Sequence, residues 1–309
     1  MPTVYVENPH NFQDISDYVI TDTERICTEI IQAEKSFFYD TCSFRKHANL
    51  PENEKIIQYI KQKRGLVIVT RCVLMELASL SGTLQEVYKS YFEKMFQNGL
   101  LVLILNEEDT FKILEKCFSS TEAINTFLGH AIKTAKQKTG SVESTLKADV
   151  NLRNKLLGDR KSLDKTLFSR FFQAVRNNKE SGDNLGEELI AICLHLLANL
   201  PEAEEYKYQV LSDDKGAVAL IGKVKKNCLE YLGVRAMSII STAKLVQLLY
   251  QEGIIDTKEQ LEALLSVNGN DDNIKLMASE TFDLVTIEKT MSKSELAEKI
   301  LSQVIHINY

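Results

Sequence analysis

Short runs of Val, Ile, Leu and Phe alternate along the chain with longer stretches in which apolar residues return every three or four positions. The first run, Ser36-Phe37-Phe38-Tyr39-Asp40-Thr41, follows a helix-period stretch over 22–34. Leu66-Val67-Ile68-Val69-Thr70, residues 100–105, Tyr208-Gln209-Val210-Leu211-Ser212 and residues 236–240 come after it, each set apart by helix-period sequence. Such unbroken apolar runs are what a strand buried on both faces requires, and their alternation with helices predicts βαβ units around a parallel sheet.

The helices between the runs are marked by their faces. Ile56, Ile57 and Ile60 precede a stop at Gly65, and Val73, Leu74, Leu77 and Leu80 recur on one side after Thr70. Residues 184–200 are apolar almost all round beyond the first turn, with Leu189, Ile190, Ile192, Leu194, Leu196 and Leu197, so this helix is expected deep in the molecule. Asn184 with Glu187 three positions on predicts a capping box at its start.

From 106 to 182 the alternation stops, and the sequence is helical, amphipathic and polar with no strand-like run. The expected organisation is an α/β domain over 1–105 and 183–254, a helical insertion over 106–182 and a C-terminal helical extension over 255–309. Within that extension we expect a helix over 258–265, a loop at Asn268-Gly269-Asn270-Asp271-Asp272, a piece at 281–288 of either kind, and a last helix from Ser292, where Ser292-x-x-Glu295 forms a capping box.

Composition narrows the class. Of 309 residues 44% are apolar and 26% charged, with only 13 Gly and 4 Pro, which excludes disorder, collagen and a turn-rich β-sandwich. Six cysteines contain no C-x-x-C pair and mostly sit among apolar neighbours, as reduced core thiols of a cytosolic protein do. The segment MPTVYVENPHNF has no basic stretch followed by an apolar one, and the longest aliphatic run, 100–105, falls far short of the roughly 18 residues of a membrane span. A cytoplasmic protein without membrane attachment is expected.

Net charge is −6, which alone argues against a nucleic-acid partner. Its distribution changes the picture: residues 130–180 hold twelve Lys or Arg against five Asp or Glu. This predicts a basic lobe beside an acidic body, with Lys133, Lys136, Arg153, Lys155, Arg160 and Lys161 as candidate contacts to a nucleic-acid backbone.

In an open parallel sheet ligands bind at the carboxyl ends of the strands. Asp40 closes the first run, and Asp213 and Asp214 close the fourth; Glu76 lies early in the helix after Thr70, and Glu187 in the first turn of the deep helix, with Asp183 four residues before it. Carboxylates from four elements then meet at one edge. Like charges so placed raise one another's pKa values, and a hard divalent cation resolves the conflict because Mg²⁺ or Mn²⁺ takes oxygen ligands from a few carboxylates. Phosphodiester hydrolysis is the chemistry such a centre suits. Arg71 and Lys215, near these acids in sequence, are further candidates for phosphate contact.

In this order, FFYDT, Glu76 in VLMEL, Gly186-Glu187-Glu188-Leu189-Ile190-Ala191-Ile192 and Leu211-Ser212-Asp213-Asp214-Lys215, the chain resembles the PIN-domain nucleases, and GVRAMSIISTAKLVQLLYQEGII is similar to that family's last strand and helix. The likeness covers roughly 36–105 and 183–254. It implies a PIN-like three-layer α/β/α fold in which Asp40, Glu76, Glu187 and Asp214 are the metal-binding and catalytic acids, Asp213 a fifth ligand, and Thr41 and Ser212 the hydroxyl positions. It further implies Mg²⁺- or Mn²⁺-dependent cleavage of single-stranded RNA, in a toxin or defence role restrained by an inhibitory protein partner. The length and the insertion depart from a small toxin.

Two other classes stay open at this point. The PIN-like body can be a catalytically silent scaffold that recruits RNA or a protein, or the acids can belong to an α/β phosphotransfer enzyme with Asp40 as nucleophile. His10, His47, His130, His195 and His306 show no metal-ligand spacing, His195 reads as a packed core residue, and no Gly-rich phosphate loop is present. The amphipathic insertion and last helix leave room for an oligomer.

Overall fold

The computed structural model describes residues 4–158, 162–266, 273–280 and 285–309. Its centre is a parallel sheet of β1 (Lys35–Tyr39), β2 (Gly65–Thr70), β3 (Val102–Leu105), β4 (Tyr208–Leu211) and β5 (Met237–Ile240), hydrogen-bonded in the order β3-β2-β1-β4-β5. In register, Phe38 pairs with Ile68 on one side and Val210 on the other, so β1 is the central strand. Phe37, Phe38 and Tyr39 are fully buried, as a strand covered on both faces requires.

Helices α1 (Thr23–Gln32), α2 (Thr41–Asn49), α3 (Asn53–Gln62), α4 (Arg71–Leu77) and α5 (Glu86–Gln97) connect and flank the first three strands. Between β3 and β4 run α6 (Thr110–Glu115), α7 (Thr121–Ala135), α8 (Ser141–Ala148), α9 (Val150–Leu157), α10 (Leu167–Asn177) and α11 (Leu185–Leu197); α12 (Lys215–Leu232) and α13 (Thr242–Gln251) follow β4 and β5. The expected deep helix is α11, buried along nearly its whole length. Gly65 opens β2 where a Cβ would lie 2.5 Å from the Phe37 ring, so only glycine lets β2 approach β1 there. Under α2, the buried Tyr39 hydroxyl bonds His47 Nδ1 (3.0 Å) and Tyr91 Oη (2.9 Å), which fixes the exit of β1 just before Asp40.

The insertion is helical among its described residues, as expected, but it is not a lobe set apart. α7 packs on α11 and α12, and α10 carries Arg176 into the body. There the guanidinium, 3% exposed, meets Glu107 at 2.6 Å, Glu108 at 2.7 Å and Glu7 at 2.9 Å. The expected separation of a basic lobe from an acidic body is corrected accordingly: much of the segment's positive charge is paired, partly with the body itself.

The C-terminal extension is not purely helical. Besides α14 (Lys258–Leu264) and α15 (Lys293–Leu301) it forms an antiparallel sheet of β6 (Asn273–Glu280), β7 (Ile287–Ser292) and β8 (Ile305–Ile307), in the order β7-β6-β8. In β6 only Leu276 and Ala278 are buried, a period-2 pattern too brief to stand out against flanking Lys and Ser. The Ser292 capping bond to Glu295 N forms at 3.2 Å. Gln247 of α13 ties the extension down, donating to Ile305 O (2.7 Å) and accepting from Ile307 N (3.0 Å). The loop expected at 268–272 lies outside the described residues.

Candidate active site

Strand order reverses between β1 and β4, and there the carboxyl ends of the strands open a crevice. Asp40, the residue after β1, caps α2: its Oδ1 accepts from Thr41 N (2.7 Å), and its Oδ2 from Ser212 Oγ (2.8 Å) and Cys42 Sγ (2.8 Å). Only 5% of Asp40 is exposed, and burial raises its pKa against the lowering effect of the Cys42 and Ser212 bonds. Ser212 therefore fastens the end of β4 to the acid that ends β1.

Glu76 comes from α4. Its Oε2 accepts from Thr41 Oγ1, and its Oε1 lies 2.8 Å from Lys179 Nζ. A Cβ at Gly186 would stand 3.0 Å from Glu76 Oε2, so the glycine leaves α11 room to pass the carboxylate. Asp214 caps α12, accepting from Gly216 N and Ala217 N (3.2 Å).

Glu187 differs from the other three. Its Oε2 is buried with no hydrogen-bond partner, and its pKa is pushed up to about 8, by burial first and then by the charges of Asp214, Asp40 and Glu76. The expected capping box with Asn184 does not form: Asn184 makes no side-chain cap bond, and Asp183 Oδ1 accepts from Leu185 N (3.2 Å) instead. Glu187 is thereby left to the crevice. Its neighbour Glu188 turns the other way and is held by Gln137 N (2.7 Å) and Val142 N (3.1 Å) at the α7–α8 turn.

Asp40, Glu76, Glu187 and Asp214 line one pocket of about 330 Å³. Asp213 does not, and its expected place among the ligands is corrected. Its Oδ1 accepts from Thr242 N (2.7 Å) and its Oδ2 from Thr242 Oγ1 (2.5 Å) and Lys46 Nζ (3.0 Å). Burial works against its charge, but Lys46 and the Thr242 bonds outweigh it and lower the pKa. Asp213 pins the β4–α12 turn to the start of α13.

Sequence reasoning missed Lys179. Counted only as one cation of a basic run, its side chain is 2% exposed, paired with Glu76 and Asp183, with the Tyr5 ring 5.1 Å from its Nζ. It missed Tyr309 as well, whose phenol has its pKa raised by burial and then by Asp213, Cys42, Asp214 and Asp40, and whose backbone pairs with Met277 of β6. No local signal in the sequence marks either; both reach the acids through distant packing.

The candidate phosphate contacts fare unevenly. Arg71 is committed to Asn106 Oδ1 (2.9 Å) and Asn8 Oδ1 (2.6 Å), and Lys215 pairs with Glu288 at 2.8 Å. Of the insertion residues, Lys136 pairs with Glu143 and Lys155 with Asp164 (3.1 Å), Arg153 is exposed, and Lys133 faces a second pocket away from the acids. Arg160 and Lys161 lie outside the described residues.

Among the described residues no group of three or more His, Cys, Asp or Glu converges as a ready metal cage. Mg²⁺ ordinarily keeps several waters and takes only one or two protein carboxylates. The all-oxygen donor set, and a Glu187 oxygen buried without a partner, fit a hard cation at that lower count. Glu187 with Asp40 or Asp214 are the residues that would hold it.

Fold and site together define a helix-flanked α/β domain on a five-stranded parallel sheet, with an acidic pocket where the strand order reverses. Set against protein-family models, curated proteins and solved structures, the chain matches none of them. Among the described residues no helix is long and apolar enough to cross a membrane.

Proposed function

We propose that the protein is a PIN-like, Mg²⁺- or Mn²⁺-dependent endoribonuclease acting on single-stranded RNA. The observation that carries this reading is Glu187, an uncompensated carboxyl drawn up to about 8 beside Asp40, Glu76 and Asp214 at the carboxyl edge of the sheet. A bound cation would supply Lewis acidity toward a water and the phosphate oxygens. Ser212 and Thr41 hold the Asp40 and Glu76 carboxylates in place, while Lys179 neutralises Glu76.

The test is incubation of a labelled single-stranded RNA with the protein in Mn²⁺, in Mg²⁺ and in chelator. We expect metal-dependent cleavage that Asp40→Asn abolishes while its circular dichroism stays that of the wild type. Intact RNA in every lane overturns the proposal.

One observation favours a second reading, a metal-free binding module: the Lys179 ammonium already sits on Glu76, with no three-carboxylate cage among the described residues. RNA binding of equal strength with and without metal, and no product, would select it. A phosphotransfer enzyme with Asp40 as nucleophile has less support, because both Asp40 oxygens hold hydrogen bonds.

A further inference from the structure

Most basic residues of 130–180 already hold carboxylates. Lys136 and Lys147 share Glu143, Lys155 and Arg170 share Asp164, Lys165 takes Glu115, and Arg176 and Lys179 are buried in the body. Lys133 has no such pair among the described residues. It faces a surface pocket of about 490 Å³ together with His130 of its own helix and Lys223, Lys226, Glu230 and Tyr231 of α12.

Helix α12 lies outside the basic segment 130–180, yet it carries Lys215, Lys223, Lys225 and Lys226 against one acid, Glu230. Glu230 is 3.7 Å from Lys226 in a pair more than half exposed on both sides, an arrangement that contributes little. Tyr231 is 77% exposed, the most exposed of the large apolar side chains among the described residues. A bare aromatic ring beside Lys133 and Lys223, which hold no carboxylate among the described residues, and Lys226, held only by an exposed one, is what single-stranded nucleic acid uses: the ring stacks a base, and the ammonium groups neutralise successive phosphates. An acidic polypeptide would satisfy the lysines without requiring the ring.

We propose that the face formed by α7 and α12, with Lys133, Lys223, Lys226 and Tyr231, is the track that holds single-stranded RNA. The proposal rests on the RNA reading above for its substrate class and adds the surface that recognises it. Asp214 caps the start of α12, and at 1.5 Å per residue Lys223 lies about 14 Å, Lys226 about 18 Å and Tyr231 about 26 Å further along the axis. A strand gripped there is tethered on the helix whose cap lines the acidic pocket.

Fluorescence anisotropy of a labelled single-stranded RNA, in chelator so that nothing is cut, tests it directly. Combined Lys133→Ala, Lys223→Ala and Lys226→Ala should weaken binding at least tenfold and lower the salt slope by about 2, from roughly 0.7 per phosphate contact on a single strand. Tyr231→Ala should weaken it about tenfold, and Tyr231→Phe should restore it, since stacking needs only the ring. Lys136→Ala with Lys155→Ala, whose ammonium groups already hold acids, should change it less than twofold.

Wild-type affinity in the triple variant overturns the proposal, as does the absence of RNA binding at low salt. Displacement of RNA by poly-glutamate at equal charge concentration, with Tyr231→Ala silent, overturns it in favour of an acidic protein partner. The two readings fail separately: binding through this face without cleavage removes the nuclease and keeps the track, whereas cleavage with unaltered binding in the triple variant removes the track and keeps the nuclease.

Discussion

The carboxylates around Arg176 and those in the acidic pocket are accommodated in opposite ways. Around Arg176, Glu107 is fully buried and Glu108 partly so, yet a guanidinium reaches both, and Glu107 Oε1 also accepts from Cys72 N (2.8 Å). In the pocket at the β1–β4 crevice, Lys179 serves Glu76 and Asp183, while Glu187 has a buried oxygen that nothing reaches. In the first cluster Glu107 and Glu108 each have a partner within the chain; in the second a buried Glu187 oxygen has none. Partnered acids hold a fold together, and on the function proposed above the unpartnered acid at the sheet edge is where a positive ligand would sit.

The sharpest way to break this comparison is to remove the compensation. Arg176→Met should destabilise the protein by about 3–5 kcal/mol, because Glu107 then keeps a buried charge without a partner. Urea unfolding measures it; a loss under 1 kcal/mol would mean that Glu107 takes up a proton at no cost and the cluster is not held by charge. Glu107 does have its pKa raised by burial, against the lowering effect of Arg176, so the loss should shrink in acid.

Lys179→Met should act at the other cluster with a smaller effect, about 1–3 kcal/mol, since Glu76 is closer to solvent than Glu107. Rescue is expected here: Mn²⁺ should restore the melting temperature of this variant more than it raises that of the wild type. Equal shifts would separate Lys179 from the cation site.

The pH dependence sharpens the comparison further. Glu187 has its folded pKa raised from an ordinary 4.5 to about 8, so between these values the native state holds more proton than the unfolded state. Stability of the metal-free protein should therefore fall as pH rises across that window, and Glu187→Gln should flatten the slope. Parallel pH profiles of melting temperature for the two proteins would contradict the raised pKa.

How much of this could be read from the residues follows the same division. The parallel sheet was legible because strands such as β1 and β2, covered on both faces, must be apolar without interruption. Asp40, Glu187 and Asp214 were legible because strand ends and first helical turns are where an α/β fold presents side chains to a crevice. Asp213 was not separable from Asp214, since which of two adjacent acids turns inward depends on Thr242, 29 residues away.

Lys179 was hidden for a related reason. Within a run of cations nothing local distinguishes the one that crosses to Glu76, 103 positions earlier, from those that pair with Glu143 or Asp164 on the surface. The short strands of the extension owe their place to Gln247 and to each other, and a period-2 pattern with two buried residues in β6 carries too little signal alone. The basic character of α12 is hard to read from sequence because it lies in four lysines of one helix rather than in a long run.

Calorimetric titration with Mn²⁺ tests most directly whether the acidic pocket is short of one positive ligand. Saturable binding near neutral pH is expected, with proton release as Glu187 ionises and loss of both in Glu187→Gln and Asp40→Asn proteins that remain folded. Absence of saturable binding in the wild type, or unaltered binding in both variants, would contradict it.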